Sequence, residues 1–284
     1  MKIRTILIAL LVPFATAALS AQLAEGDRLY ERRAEGHQGA RARAEPIDRA
    51  IAAYEKAVAA SPADLEPRVK LLAALRFKGT YVATSVAAKR EVFGRGKELS
   101  AQAMQLLDGK VRQRGIASPS KASVEQLATA AREIPYATNL YYWDAVLWGE
   151  WALVYGKMAA ARQGAADRIR RSATVAHLAD PDLEGGGGSR VLGRLHHQTP
   201  RIPLITGWVS DREAVTFLRA SVASDPRVKI TKVFLAEALM DGDAKSKREA
   251  RGLLEEVIRS PNESGHLVEN IAAQADARAL LGRM

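Results

Sequence analysis

Beyond its first two dozen residues the chain places apolar side chains three and four positions apart almost everywhere, and the strict alternation of half-buried strands is missing. That pattern predicts an all-α fold. Helices are expected over residues 23–35, 46–60, 65–77, 84–107, 124–133, 137–158 and 163–178, with a short basic helix over 190–197. Pro46 falls in a first turn, where its fixed φ is favourable and its missing N–H costs nothing. A glycine- and arginine-rich loop over 36–43 separates the first two helices.

One spacing recurs. Ala50, Tyr54, Ala57 and Pro62 set a small residue, a ring, a small residue and a terminating proline at fixed intervals, and Ile169, Ala173, Ala176 and Pro181 repeat it, as do Ala214, Leu218, Ser221 and Pro226. A looser copy ends at Pro261. Small residues let helices approach, the bulky one fills the groove between them, and proline stops the helix, so the spacing resembles helix B of a tetratricopeptide repeat. The distances between copies are uneven, so the expectation is one solenoid-like, tetratricopeptide-like helical domain over residues 22–284 rather than a uniform array. Stacked hairpins of this kind make a concave surface, and a groove is the expected product.

The N-terminus alters the picture. Lys2 and Arg4 precede an apolar stretch from Ile6 to Ala18 and then small residues, the plan of a cleavable secretory leader over residues 1–21. The expected mature chain is periplasmic, carries no transmembrane helix, and has no cysteine for a lipid anchor, a disulfide or thiol chemistry. Loss of the leader takes the formal charge from +10 to +8, because two cations and no acid go with it. A basic surface favours anionic partners without naming one.

Two segments carry what chemistry there is. Residues 140–156, LYYWDAVLWGEWALVYG, hold three of the four tryptophans. One stripe there is Leu140, Trp143, Leu147, Trp151, Val154 and Met158; an adjacent one is Tyr141, Ala145, Trp148, Ala152 and Tyr155. A helix apolar on two neighbouring faces is either buried centrally or lines a cavity, and both readings stand, with the second stripe as the candidate pocket wall. Asp144 and Glu150 are its only acids, solvated or paired with nearby arginines. Residues 185–203, GGGGSRVLGRLHHQTPRIP, begin as a flexible glycine run with Ser189 as the expected cap of the basic helix. Arg190 and Arg194 share a face there, either in salt bridges to neighbouring helices or recognising a carboxylate or a protein, with His197 or Arg201 joining only if the helix persists. The glycine run lacks the lysine and hydroxyl of a phosphate loop and no strand precedes it. Adjacent His196 and His197 diverge on a helix, His37, His177 and His266 are isolated, and no serine sits in a nucleophile elbow. No catalytic constellation, metal site, cofactor or nucleic-acid partner is expected. The apolar loop TPRIPLITGW, residues 199–208, is read as folding back on the core, either as a packed connector or as the floor or gate of a pocket.

Taken in order, the leader, the helix stopped at Pro62, LYYWDAVLWGEWA, GGGGSRVLGRL followed by PRIP, and two closing repeat units resemble the T-component family of TRAP transporters. That resemblance implies a non-catalytic periplasmic protein that associates with the solute-binding subunit of the transporter, self-associates, and encloses an apolar channel or pocket for a ligand such as an apolar carboxylate. It implies Tyr142, Trp143, Trp148 and Trp151 as wall or buttress of that cavity, and Arg190 and Arg194 near its mouth. The alternative is a generic periplasmic adaptor that holds a protein or envelope polymer on its concave surface and has a filled interior.

Overall fold

The computed structural model describes residues 20–203 and 205–284, and the structural statements that follow concern those residues. The leader expected over residues 1–21 lies outside them except for its last two positions, and Leu204 of the apolar loop lies outside as well. Among the described residues there are 13 α-helices and no strand: α1 (residues 20–31), α2 (Ala44–Ala60), α3 (Glu66–Phe77), α4 (Val86–Gln113), α5 (Val124–Glu133), α6 (Ala137–Tyr155), α7 (Lys157–Arg162), α8 (Ala165–Ala179), α9 (Gly187–Gln198), α10 (Asp211–Ser224), α11 (Lys229–Met240), α12 (Ala244–Arg259) and α13 (Leu267–Leu281). The fold is all-α.

The recurring spacing falls on the inward stripe of four helices. α2, α8, α10 and α12 each end two residues before a proline, at Pro62, Pro181, Pro226 and Pro261, because the residue preceding proline is pushed out of the helical region. Ala50, Ala57, Ala173, Ala176, Ala214, Leu218 and Ser221 are wholly buried, and so are Ala250, Leu254 and Val257, which give the looser copy ending at Pro261 the same intervals. Gly26 of α1 shows what the spacing is for: a Cβ there would sit 2.4 Å from the Tyr54 ring, so the helix backbone itself forms the groove that the ring fills.

Element boundaries differ from expectation where a local conformation intervenes. α1 ends at residue 31, before the turns of 32–36, and α4 runs six residues past Leu107. The helix expected over 137–158 breaks at Gly156, whose φ of 90° is open to glycine and strained for other residues, and α7 restarts at Lys157. α5 begins on a reciprocal capping box between Ser123 and Gln126.

Helices pair as hairpins α2/α3, α4/α6, α8/α9, α10/α11 and α12/α13, with α5 packed on α8. The second member of each pair faces inward and the first lies outside, although α8 also reaches the interior with its opening turn. The row closes on itself. Val268 of α13 belongs to the apolar cluster of α1, α2 and α3, and Arg33, just past α1, donates to Glu269 at 2.8 Å and to the Gly265 carbonyl at 2.5 Å. The Arg33 guanidinium also lies over the rings of Tyr30 and Phe77, at 4.4 and 5.3 Å. Burial beside it pushes the Tyr30 phenol up to about 12.

Arg33 is only 6% exposed, so Arg33→Ala leaves Glu269 without its partner and the first and last helices without their clasp. The expected loss is about 2–3 kcal/mol. Hydrogen exchange should accelerate in α1 and α13 together; acceleration confined to one of them would refute the closure.

Candidate functional site

Inside the closed row lies a cavity of about 1120 Å³, open to solvent. It is walled by α6, α9, α11 and α13, with contributions from the ends of α3, α7 and α8 and from the loop after α9. Much of the wall is small: Ala145 and Ala152 on α6, Ala160 and Ala161 on α7, Ala165 on α8 and Ala272 on α13.

The rotational setting of α6 determines what faces this space. Tyr142, Val146, Gly149 and Leu153, spaced four, three and four apart, line it, with Trp143 and Glu150 at one edge and Ala145 and Ala152 at the other. Asp144 lies on the opposite side of the helix and is fully buried. It accepts from Ser100 of α4 at 2.7 Å, from Ser172 of α8 at 2.6 Å, and from two nitrogens of Arg168 at 2.9 and 3.0 Å. Every oxygen of this buried charge is therefore satisfied, and α4, α6 and α8 are tied at one point. Burial opposes the Arg168 guanidinium, but the bonds to Asp144 outweigh it and hold its pKa above the ordinary value.

That setting selects between the two readings kept for Trp148 and Trp151, packed core or cavity wall. Trp148 and Trp151 are outside the cavity lining and pack on the Asp144 side. Their rings meet edge to face with centroids 5.7 Å apart, and the Lys97 ammonium of α4 sits 4.4 and 4.1 Å from them. Trp151 stacks on Tyr155, whose other neighbour is Arg90. Trp148, Trp151 and Tyr155, drawn from both stripes, thus form a ladder of rings and cations between α4 and α6, while Ala145 and Ala152 of the second stripe do line the cavity. Of the lining stripe the sequence reading named Tyr142 but missed Val146, Gly149 and Leu153, because that face carries few rings; the mid-helix glycine was the available signal. At Gly149 a Cβ would meet nothing within 4 Å, so this mid-helix glycine borders empty space. Glu150 pairs with Arg76 of α3 at 3.2 Å, so neither acid of α6 takes Arg190 or Arg194.

The glycine run is a packing device and not a flexible linker. Glu184, Gly185 and Gly186 turn left-handed, with φ of 53°, 60° and 72°. A Cβ on Gly187 would lie 2.6 Å from the Tyr142 ring, and one on Gly188 would lie 2.7 Å from the His177 backbone nitrogen, so α9 enters directly against α6 and α8. Gly186, not Ser189, occupies the cap position. Ser189 is buried in the first turn with its hydroxyl 3.0 Å from His177 Nδ1. This serine–histidine pair does not line the cavity, and among the described residues no carboxylate is hydrogen-bonded to the imidazole.

Arg190 and Arg194 both line the cavity, and their surroundings differ. Arg190 donates to the carbonyls of Glu184 and Gly185 at 3.0 and 3.1 Å, to the Tyr142 hydroxyl at 3.1 Å and to Thr231 at 3.4 Å. All are neutral oxygens, and among the described residues no carboxylate lies within ion-pair distance of it. Arg194 is neutralised by Glu237 and lies over the Phe234 ring at 4.2 Å. The helix persists to Gln198, which brings His197 Nδ1 within 3.5 Å of Arg194 and His197 Nε2 within 3.2 Å of Asp241. Asp276 lines the cavity without an ion pair; burial, then Glu237, raises its pKa against the opposing charge of Arg194. The charge on this wall that is left uncompensated on α9 is that of Arg190.

The loop after α9 folds back and is braced from within. Thr206 donates to the Pro200 carbonyl and accepts from the Ile202 N–H at 2.8 Å. Ile202 and Ile205 reach the cavity edge while Trp208 packs edge-on against His196. His196 Nδ1 accepts from the Ser210 N–H at 3.1 Å, so the neutral ring pins the end of this loop. Among the described residues no group of three histidines, cysteines or carboxylates has metal-binding proximity, and no helix is long and apolar enough to cross a membrane.

No protein-family model matches this chain, and no curated protein matches it.

Two neighbouring residues on α6 should respond oppositely to the same substitution. Trp148→Ala should cost about 3–5 kcal/mol, because a packed ring is removed. Gly149→Ala should gain about 0.5–1 kcal/mol, because alanine favours the helix and its methyl meets no atom. Chemical denaturation of both variants measures the contrast, and equal signs would refute this orientation of α6.

Burial lowers the pKa of His196, with Glu213 opposing and Arg170 assisting, and burial lowers that of His177. A ring that binds its proton less tightly folded than unfolded contributes its full stability above the unfolded value of 6.5 and loses it as pH falls through the depressed folded value. The melting temperature should therefore fall between about pH 7 and pH 5.5, and His196→Phe should flatten part of that slope. A wild-type curve flat across this window would contradict the neutral pin.

Proposed function

We propose that this protein is a non-catalytic binding protein that holds an apolar molecule bearing one anionic group in the α6–α9–α11–α13 cavity. The observation that carries the reading is the joint presence of a large, small-residue-walled space and an arginine with no carboxylate within ion-pair distance among the described residues, Asp225 acting on it only from further off. Its volume of about 1120 Å³ lies slightly above the roughly 300–1,000 Å³ of small-molecule sites. Apolar walls supply affinity at about 25 cal/mol per Å² buried, and Arg190 with the Tyr142 hydroxyl supplies orientation. Gly149 supports the same reading, since a mid-helix glycine facing open space costs about 1 kcal/mol and serves to widen the lumen.

The wider assignment rests on the sequence resemblance to TRAP T-components. On that basis the chain is exported to the periplasm by the leader at residues 1–21, associates with a transporter's solute-binding subunit, and forms homo-oligomers. The adaptor alternative needs a filled interior, and the open lumen favours ligand binding over it.

Calorimetric titration with a long-chain fatty acid and with its methyl ester tests both parts. The acid should bind more tightly than the ester, and Arg190→Gln should remove that preference. Gly149→Phe should weaken both ligands at least tenfold while leaving the far-ultraviolet dichroism unchanged. Undiminished binding in Gly149→Phe would place the ligand elsewhere and overturn the reading. For the partner, the immobilised chain should retain a purified TRAP solute-binding subunit; failure to do so removes the transporter assignment and leaves the cavity reading intact.

A further inference from the structure

We propose that the mouth of the cavity seats on an anionic lipid bilayer, through a rim that pairs exposed aliphatic side chains with unneutralised cations. The seat goes beyond the ligand reading; only exchange of the occupant with the acyl phase rests on it.

The rim is built from two segments distant in sequence. One is the end of α6 and the six-residue α7, where Leu153 is 65% and Met158 70% exposed. The other is the loop after α9, where Ile202 is 43% and Ile205 63% exposed. Leu153, Ile202 and Ile205 also line the cavity, so they stand at its edge, half in the lumen and half in solvent. These are four of the eight large apolar side chains left exposed among the described residues. Exposed apolar side chains gathered in one place mark a contact surface.

Cations flank them. Lys157 lines the cavity; Arg162 lies between the lining residues Ala161 and Gly164, and Arg201 between Pro200 and Ile202. All three are exposed, and among the described residues none has a carboxylate within ion-pair distance. The rim acid Asp167 is spent on Arg170 at 3.3 Å, and Asp211 shares a shallow groove with Arg201 and Arg212. The local balance is therefore positive, in a chain of formal charge +10.

Charge complementarity selects the occupant. Aliphatic prongs inserted at the headgroup boundary, held by lysine and arginine against negative lipid, are the two components of interfacial binding. A protein docked over the same rim would rest on aliphatics alone, whereas protein interfaces concentrate aromatic residues at a dry centre. It would also cap an apolar lumen without filling it. Acyl chains meet the prongs and continue into the lumen.

Co-sedimentation with vesicles tests the seat. Phosphatidylcholine vesicles containing one third phosphatidylglycerol should bind the chain, pure phosphatidylcholine should bind it far more weakly, and raising salt from 0.05 to 0.5 M should release it. Arg162→Glu with Arg201→Glu should weaken binding by at least about 25-fold, taking about fivefold for each cation removed. Met158→Ser should weaken it further. None of these three residues lines the cavity, so fatty-acid titration of the same variants should be unchanged, which separates failure of the seat from failure of the ligand reading. As a control, Lys247→Glu with Arg251→Glu on α12, away from the cavity, should retain vesicle binding. Unchanged partition of the rim variants, equal loss in the α12 control, or equal affinity for neutral vesicles would each overturn the proposal.

Discussion

A single buried carboxylate fixes how the centre of this molecule is arranged. α6 is apolar on nearly every side, so hydrophobic burial alone would accept several rotations about its axis. Asp144 removes that freedom, because a charge with no exposed surface is tolerated only where its oxygens are fully bonded. Ser100, Arg168 and Ser172 provide that place between α4 and α8. Once Asp144 points there, Trp148 and Trp151 must face α4, and Tyr142, Gly149 and Leu153 must face the interior. The position of the cavity wall is a consequence of where one acid could be buried.

The remaining walls follow from close approach. The left-handed turn at 184–186 and the bare backbone of Gly187 and Gly188 bring α9 against the Tyr142 ring and the backbone of His177, so Arg190 emerges beside the lumen with its two terminal nitrogens held by neutral oxygens. The clasp between Arg33 and Glu269 joins the first hairpin to the last and turns an open row of helices into an enclosure. An open row presents a concave face; a closed one holds a volume. Both the candidate ligand site and its rim exist because of that closure.

Much of the helix layout was legible in sequence, and less of the site. Trp148 and Trp151 read as candidate wall because aromatic residues draw attention, yet they form a cation-laced ladder outside the lumen. Tyr142 and Trp143 do line it, as do Arg190 and Arg194, but the difference between the two arginines depends on Glu237, 43 residues from Arg194 in sequence. Ser189 read as a cap from residue type alone, and the glycine before the helix took that position because the chain arrives there in a left-handed turn.

Local physics therefore decided what the chain alone could reveal: helical class from apolar periodicity, helix ends at the four Ser-Pro and Asp-Pro steps, and the buried triplets at Ala50, Tyr54 and Ala57 and their counterparts, all set by interactions within a few residues. Tertiary structure decided which face of α6 meets the lumen, which arginine keeps an uncompensated charge, and that α1 meets α13. Those outcomes depend on partners 24 to 236 residues away, such as Arg168 for Asp144 and Glu269 for Arg33, and periodicity carries no information about which distant charge a side chain will find.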